Sequence, residues 1–324
     1  MKALNASKSL FLAYMEKELP RESPQNLYEP VRYIMGLGGK RIRPLLALWA
    51  CEAGGQPQEK ALPVAMAVEA FHNFSLIHDD IMDEAPMRRG QATVHQKWNN
   101  NIGILSGDVL LVCAYQYLAA YEDTIFKQLT QTFSVTARLV CEGQQLDMDF
   151  PQQSIISLSN YLEMIEKKTA VLLGASLKMG AIAGGMSLSA CESFFEYGKN
   201  IGIAFQLQDD FLDAFGDPKT FGKQLGGDII ENKKTFLYLY ASTQLKGAEK
   251  ESLEAHYRSQ PKDALKKIEA VKALFEKADA IKAIRNEMET YLDRAFEALN
   301  AMNLADNHKQ RFSELAHYLV QREI

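Results

Sequence analysis

Residues 266–277, KKIEAVKALFEK, show the spacing that decides the fold class. Ile268, Val271, Leu274 and Phe275 recur at helical intervals and share one helix face, and we expect the lysines on the opposite face. Long stretches rich in Ala, Leu, Glu, Lys, Gln and Met continue this pattern between widely spaced prolines. No run of alternating β-branched residues bounded by turns predicts a strand. The sequence therefore predicts an all-α protein of about a dozen helices.

Length, composition and charge exclude several classes of protein. The chain has 324 residues, and we expect one domain over residues 1–324. Hydrophobic residues make up 47% and the net charge is −5, so neither nucleic acid nor an anionic membrane is expected as the main partner. The four cysteines form no CxxC pair, which fits a reducing, cytoplasmic location. No apolar run approaches the roughly 20 residues of a membrane span.

An acidic motif occurs twice, as IHDDIMDEA (77–85) and LQDDFLDAF (207–215). On a helix, the first and last aspartates of each DDxxD share a face, and the second points roughly 100° around. Stacked carboxylates repel unless a cation joins them, and Mg²⁺ binds few protein carboxylates together with waters and phosphates. A solvated helix face is the alternative, but both copies follow strongly apolar runs. We therefore predict metal–diphosphate binding by Asp79, Asp80, Asp83, Asp209, Asp210 and Asp213.

Basic residues accompany the acids. In GGKRIRP (38–44), Lys40, Arg41 and Arg43 precede a helix that Pro44 can open, which predicts an anion site. Arg88 and Arg89 stand five residues beyond the first acidic motif, as if a charged ligand belonged between them.

Further cations lie near the second motif. Lys168 and Thr169, in EKKTA, add a cation and a hydroxyl. Lys223 and Lys233 lie in and just after the glycine-rich stretch FGDPKTFGKQLGGDI (215–229), which predicts a mobile loop. The alternative for any single lysine or arginine is a solubilising surface role.

The motifs GGKRIRP, LIHDDIMDEAPMRRG, EKKT and FQLQDDFLDAFGDPKTFGK, in this order over about residues 36–234, resemble those of the trans-isoprenyl diphosphate synthases. The resemblance implies an antiparallel helical bundle around a deep cavity, usually as a homodimer. It also implies short-chain head-to-tail condensation of isopentenyl diphosphate with C5–C15 allylic diphosphates. A terpene cyclase of the same fold and a non-catalytic regulatory subunit are the alternatives. The intact second DDxxD and the Lys40–Arg43 segment disfavour both.

The resemblance also assigns roles to residues. Metal ligands for about three Mg²⁺ ions match Asp79, Asp83 and Asp209, with Asp80, Asp210 and Asp213 in support. Contacts to the allylic diphosphate match Arg88, Lys168 and Lys223. The pocket for isopentenyl diphosphate matches Lys40, Arg43, His72 and Arg89. Polar positions near the reacting carbons match Thr169, Gln206, Gln144 and Asp147, and Lys233 matches a basic residue near the closing loop.

Product length depends on the helix that carries Asp79. Phe74 and Ser75 lie five and four residues before Asp79, where two bulky residues would close the cavity at C15. Ser75 is small, and Phe71 lies roughly 4.5 Å deeper as a second floor. The alternative is that both phenylalanines are core residues. No residue is inserted inside Asp79–Asp83, so we expect C20 first, then C15, with C25 also open. The C-terminus, LVQREI, is not strongly basic, and in this it departs from the basic tail that the resemblance would imply for closing the site.

Overall fold

The computed structural model describes residues 2–20, 23–153, 156–216, 225–258 and 263–320, with residues 2 and 3 described by backbone alone. The predicted all-α class is confirmed, because almost all of the regular structure in these residues is helical. One exception was not predicted. Two-residue strands at Met87–Arg88 (β1) and Gln91–Ala92 (β2) form an antiparallel hairpin.

The helices outnumber the dozen expected, partly because the described residues include four-residue helices. In chain order, the first ten are α1 (Lys2–Glu18), α2 (Gln25–Gly36), α3 (Ile42–Ala53), α4 (Leu62–Met82), α5 (Val94–Lys97), α6 (Asn100–Leu118), α7 (Asp123–Asp149), α8 (Leu158–Ile165), α9 (Val171–Ala183) and α10 (Leu188–Phe215). The rest are α11 (Gly227–Ile230), α12 (Phe236–Gln244), α13 (Gly247–Arg258), α14 (Ala264–Lys277), α15 (Ala280–Asn300) and α16 (Asp306–Val320). Irregular turns are 3₁₀ at Gln58–Ala61 and Phe150–Gln152, and π at Glu166–Ala170.

The chain divides into two compact units. The first comprises Met1–Ala137 with Ala175–Phe195, and the second comprises Arg138–Gly174 with Glu196–Ile324. The expectation of a single domain over residues 1–324 stays a prediction.

Glycines set the packing of α4 in the first unit. A Cβ at Gly107 of α6 would lie 2.3 Å from His78 Nε2, and one at Gly103 would lie 2.8 Å from Ile81 Cδ1. A larger residue at either position would therefore require the His78 or Ile81 side chain to move. The close approach fixes the end of α4, where the first acidic motif lies.

Lysine placement on α14, in the second unit, corrects one expectation. Lys267 is only 4% exposed and donates to Asn232 Oδ1, whereas Lys266 and Lys277 are exposed. Position 267 is one turn from the buried Val271, so the apolar face includes it. The prediction that the lysines lie opposite this face is therefore wrong for Lys267.

One helix among the described residues, Asn100–Leu118, is long and apolar enough to cross a membrane, with 39% of it buried in the chain. This is weak support for a span, because core helices of soluble proteins pass the same test. The expectation that no apolar run approaches this length does not hold for α6.

Candidate active site

The first acidic motif lies at the C-terminal end of α4. The helix ends at Met82, and the Asp83 N–H bonds the Asp79 carbonyl at 2.8 Å, which preserves the last turn. Asp79 is half-buried and Asp83 is exposed, so the side chains predicted as metal ligands are the more accessible ones. Asp80 is 1% exposed and lies on a different side of the helix from Asp79, as the 100° rotation between adjacent helical residues predicts.

Arg88 neutralises Asp80 directly. Its Nε donates to both carboxylate oxygens at 2.8 and 2.9 Å, and its Nη2 donates to Oδ1 at 2.6 Å. The expectation that both arginines stand off from the acids is wrong for Arg88, because the chain turns back between them. The hairpin turn places Arg89 (φ +54°) and Gly90 (φ +76°) in the left-handed region, as a type I′ turn requires. The predicted contact of Arg88 with an allylic diphosphate stays a prediction.

Basic side chains of the first unit gather beside α4. Arg43 Nη1 lies 3.4 Å from His72 Nε2, and Arg89 Nη1 donates to the Gly38 carbonyl. Burial and the Arg43 charge hold the pKa of His72 well below its usual value, so the imidazole is neutral near pH 7. Burial also lowers the pKa of Arg43 to about 10, which still leaves it charged. Lys40 is exposed at the same turn.

Arg41 does not belong to this group of basic side chains. Its backbone is left-handed (φ +55°), and its side chain is 2% exposed in an ion pair with Glu69. Arg41 also donates to the Met35 carbonyl, and Asn73 donates to Glu69 Oε1 at 3.1 Å. The expectation that Arg41 joins the anion site is wrong, because Arg41 is a buried anchor of the turn. Glu69 is a lone acid on an apolar helix, a pattern that does not indicate a functional role in the sequence.

The residues predicted to set product length form an aromatic cluster in the first unit. The Phe71 ring lies 5.4 Å from both Phe74 and Phe133, and Tyr115 lies 4.8 Å from Phe133. Phe71 is 1% exposed, whereas Phe74 is half-buried. Ser75 bonds the His72 carbonyl at 2.9 Å through its own hydroxyl.

The second unit contains a cavity of about 220 Å³. Six of the predicted residues line it: Asp147, Lys168, Thr169, Gln206, Asp210 and Lys233. Tyr161 and Asp228 line it as well and were not identified from the sequence. Tyr161 occupies a helical apolar position, which indicates core packing, and only the structure reveals its partner.

A π turn holds Lys168 and Thr169 in this cavity. Single π turns are frequent at functional sites, because they displace side chains from regular helical positions. Two glycines admit its backbone: a Cβ at Gly143 would lie 2.2 Å from Lys168 N, and one at Gly202 would lie 2.6 Å from Ala170 Cα. The role of these two glycines is not evident from the sequence, since isolated glycines in helices give only a weak signal.

Polar contacts connect the residues of the cavity. Lys168 Nζ pairs with Asp147 Oδ2 at 2.6 Å, and Thr169 Oγ1 donates to Gln206 Oε1 at 3.4 Å. Asp210 is 5% exposed and accepts from Gln206 Nε2 at 3.3 Å and from the Tyr161 hydroxyl. Burial, reinforced by the Asp228 charge, raises the pKa of Asp210 well above its usual value. Asp210 is thus a supporting residue in the cavity wall.

The remaining predicted site residues of the second unit have surroundings that differ from one another. Asp209 and Asp213 are half-buried, and Asp213 Oδ2 accepts from the Asp228 N–H at 3.0 Å. Lys233 Nζ lies 2.8 Å from Glu231; burial lowers the pKa of Lys233, but the neighbouring carboxylates raise it by more. Gln144 is buried, and neither amide atom has a partner among the described residues. Lys223 lies outside the described residues, as does most of the predicted loop at 215–229.

The carboxylates fit a hard divalent cation. In each acidic motif the second aspartate is buried and hydrogen-bonded, so the first, Asp79 or Asp209, is the better placed ligand. Among the described residues, no group of three His, Cys, Asp or Glu side chains could hold a metal alone. Mg²⁺ suits this donor set, because it takes much of its shell from waters and phosphate oxygens.

Comparison with known proteins agrees with the motifs. The sequence profile of the Polyprenyl synthetase family matches residues 24–275. The chain belongs to this family. It is 36% identical over 313 residues to a geranylgeranyl diphosphate synthase of Methanosarcina mazei, covering 96% of this chain and 94% of the relative. It is also 36% identical over 329 residues to a geranylfarnesyl diphosphate synthase of Natronomonas pharaonis, covering 95% and 93%. A crystal structure of a geranylgeranyl pyrophosphate synthase superposes with a TM-score of 0.94 at 43% identity, covering 99% of each chain.

Membership of this family confirms the resemblance inferred from the four motif stretches, and the solved structure confirms the helical fold expected from it.

Proposed function

We propose that this chain is a short-chain trans-prenyltransferase that condenses isopentenyl diphosphate with C5–C15 allylic diphosphates. The main product is C20 geranylgeranyl diphosphate, with C15 farnesyl diphosphate next. Support comes from family membership and from relatives named as C20 and C25 synthases. The structural observation that carries the proposal recurs in each unit: less buried aspartates occur together with basic side chains, mainly arginines in the first unit and lysines in the second, and such side chains bind a diphosphate.

The polar side chains of the second-unit cavity are assigned to ionisation of the allylic diphosphate. Bound Mg²⁺, about three ions by family resemblance, would neutralise charge developing on the leaving diphosphate. Its ligands, by the same resemblance, are Asp79, Asp83 and Asp209. Lys168 donates to the departing oxygens, while Thr169 and Gln206 present oxygen dipoles that stabilise the allylic cation.

Isopentenyl diphosphate is assigned to the first unit. Lys40, Arg43 and Arg89 supply charge, and neutral His72 supplies a hydrogen bond to its phosphates. The isopentenyl double bond attacks C1 of the allylic cation, forming the new carbon–carbon bond. The adduct then loses a proton, for which the departing diphosphate is a suitable acceptor. Water must be excluded throughout, because it would trap the cation.

The wall that limits chain length is Phe74. Its half-buried ring lies next to the small Ser75, and its neighbour Phe71 is fully packed in the aromatic cluster. Phe74→Ala should therefore lengthen the product beyond C20, towards C25. Removing the buried Phe71 ring should instead mainly destabilise the protein, by about 3–5 kcal/mol.

A homodimer and a cytoplasmic location complete the proposal. Helix α6 packs on α4 and also exposes Leu105 at 58% and Val112 at 54%. A second copy of the chain would cover this apolar strip. Leu105→Glu should shift the sedimentation coefficient of the purified protein to that of a monomer, and an unchanged dimer would refute the assignment of this strip.

The direct test of function is a product assay. Purified protein is incubated with Mg²⁺, isopentenyl diphosphate and C5, C10 or C15 allylic diphosphate, and the products are dephosphorylated and separated by length. Linear C20 alcohol from all three starters is expected. Products that end at C15 would support the proposed condensation activity but refute the proposed C20 product length. Cyclised allylic substrate would favour the terpene cyclase, and no turnover would favour a regulatory subunit.

A further inference from the structure

Tyr161 lies on α8 and is 3% exposed, and it lines the cavity of the second unit. Its hydroxyl donates to Asp210 Oδ2. A buried tyrosine hydroxyl needs a partner, and many backbone carbonyls would serve. The partner here is a carboxylate of the second acidic motif, which connects Tyr161 to the polar groups of the cavity.

The contacts continue beyond Asp210. The other carboxylate oxygen, Oδ1, accepts from Gln206 Nε2 at 3.3 Å. Gln206 Oε1 then accepts from Thr169 Oγ1 at 3.4 Å. The amide has one donor end and one acceptor end, so the bond to Asp210 decides which end faces Thr169. The chain of contacts runs Tyr161, Asp210, Gln206, Thr169.

We propose that Tyr161 is a positioning residue that, through Asp210, holds the Gln206 amide with its oxygen towards Thr169 and the reacting carbons. This inference rests on the proposed function. An amide oxygen stabilises a neighbouring carbocation, whereas the NH₂ group, the positive end of the same dipole, opposes it. Without the Tyr161 hydroxyl, the carboxylate of Asp210 can turn and the amide can flip, so ionisation slows while diphosphate binding is unchanged.

The test compares Tyr161→Phe with a matched control. Tyr197 is also fully buried in the second unit, and its hydroxyl donates to the Phe312 carbonyl at 2.6 Å, away from the cavity. Tyr197→Phe thus removes one buried hydroxyl bond without touching Asp210. Both variants should lose similar thermal stability. Only Tyr161→Phe should lower kcat, by about tenfold, with the KM of both diphosphates within twofold of wild type.

A second measurement separates positioning from general loosening of the fold. If Tyr161 acts through Gln206, Tyr161→Phe should have almost no further effect on kcat in a Gln206→Ala background. An equal tenfold loss in that background would overturn the proposal, as would equal kcat values for Tyr161→Phe and Tyr197→Phe. Failure of the proposed function looks different, because wild-type protein would then form no condensation product with any starter.

Discussion

Glu69 is a buried anion among the arginines of the first unit, and its charge can be removed with little change of shape. Glu69→Gln leaves Arg41 charged in a site where both side chains are 2% exposed. Breaking an ion pair buried to this degree costs about 3–5 kcal/mol, mostly because the remaining charge is uncompensated. Burial lowers the pKa values of Arg43 and Arg89, and the Glu69 carboxylate opposes this lowering, so its loss disfavours two further cations.

The expected loss is a large part of the roughly 5–15 kcal/mol that stabilises a native protein. At about 2 °C for each kcal/mol in a large domain, the midpoint of thermal unfolding should fall by roughly 6–10 °C. The control is Glu249→Gln, which removes the acid of an exposed pair with Lys277, whose side chains are 47% and 60% exposed. That change should lie within about 0.5 kcal/mol of wild type.

Urea unfolding, followed by fluorescence and circular dichroism, measures both variants. The double variant Arg41→Met with Glu69→Leu supplies the sharper test, because it removes the stranded charge together with its partner. It should be more stable than Glu69→Gln. Equal stability of Glu69→Gln and Glu249→Gln, or a double variant no better than Glu69→Gln, would refute the reasoning.

Three further predictions concern the two units separately. Gly143→Ala should lower kcat and stability, because its Cβ would lie 2.2 Å from Lys168 N, whereas Gly36→Ala, with no atom within 4 Å, should be neutral or slightly stabilising in the same assays. Ser75→Phe should shift the product from C20 to C15 in the chain-length assay, and an unchanged C20 product would move the floor of the cavity elsewhere. The lowered pKa of His72 means that the unfolded chain binds a proton more readily, so wild type should lose stability as pH falls below 6.5. His72→Gln should lose less between pH 7.5 and about 5.5 in urea unfolding, and an identical loss would contradict that pKa.

The helical class and the helix faces could be predicted from spacing alone, because burial follows a period of 3.6 residues. The same spacing could not assign Arg41 or Lys267. Each is a charged residue whose burial depends on a partner far along the chain: Glu69 is 28 residues from Arg41, and Asn232 is 35 residues from Lys267. A sequence pattern indicates which residues share a face, and the tertiary fold decides which of them find a counter-charge.

The sequence pattern could not predict where two backbone segments approach each other closely. In the sequence, Gly143 and Gly202 are isolated glycines of low helix propensity inside long helices. In the structure, each admits the backbone of the π turn that holds Thr169. Tyr161 and Asp210, 49 residues apart, meet in the same region. The motif EKKTA identifies the side chains of the turn, but their placement depends on these neighbours, which carry no motif of their own.

In both acidic motifs the two adjacent aspartates have different surroundings and different roles. In each unit the second aspartate is buried and held by its own neighbours: Asp80 by Arg88, and Asp210 by Tyr161 and Gln206. The offset of 100° between adjacent helical residues turns this carboxylate away from the face of the first. The second aspartate therefore holds neighbouring side chains in position. The less buried first aspartate, Asp79 or Asp209, remains the better placed metal ligand. On this argument the adjacent pair in DDxxD is not redundant, and Asp→Asn at the second position should affect the geometry of its neighbours before it affects metal affinity.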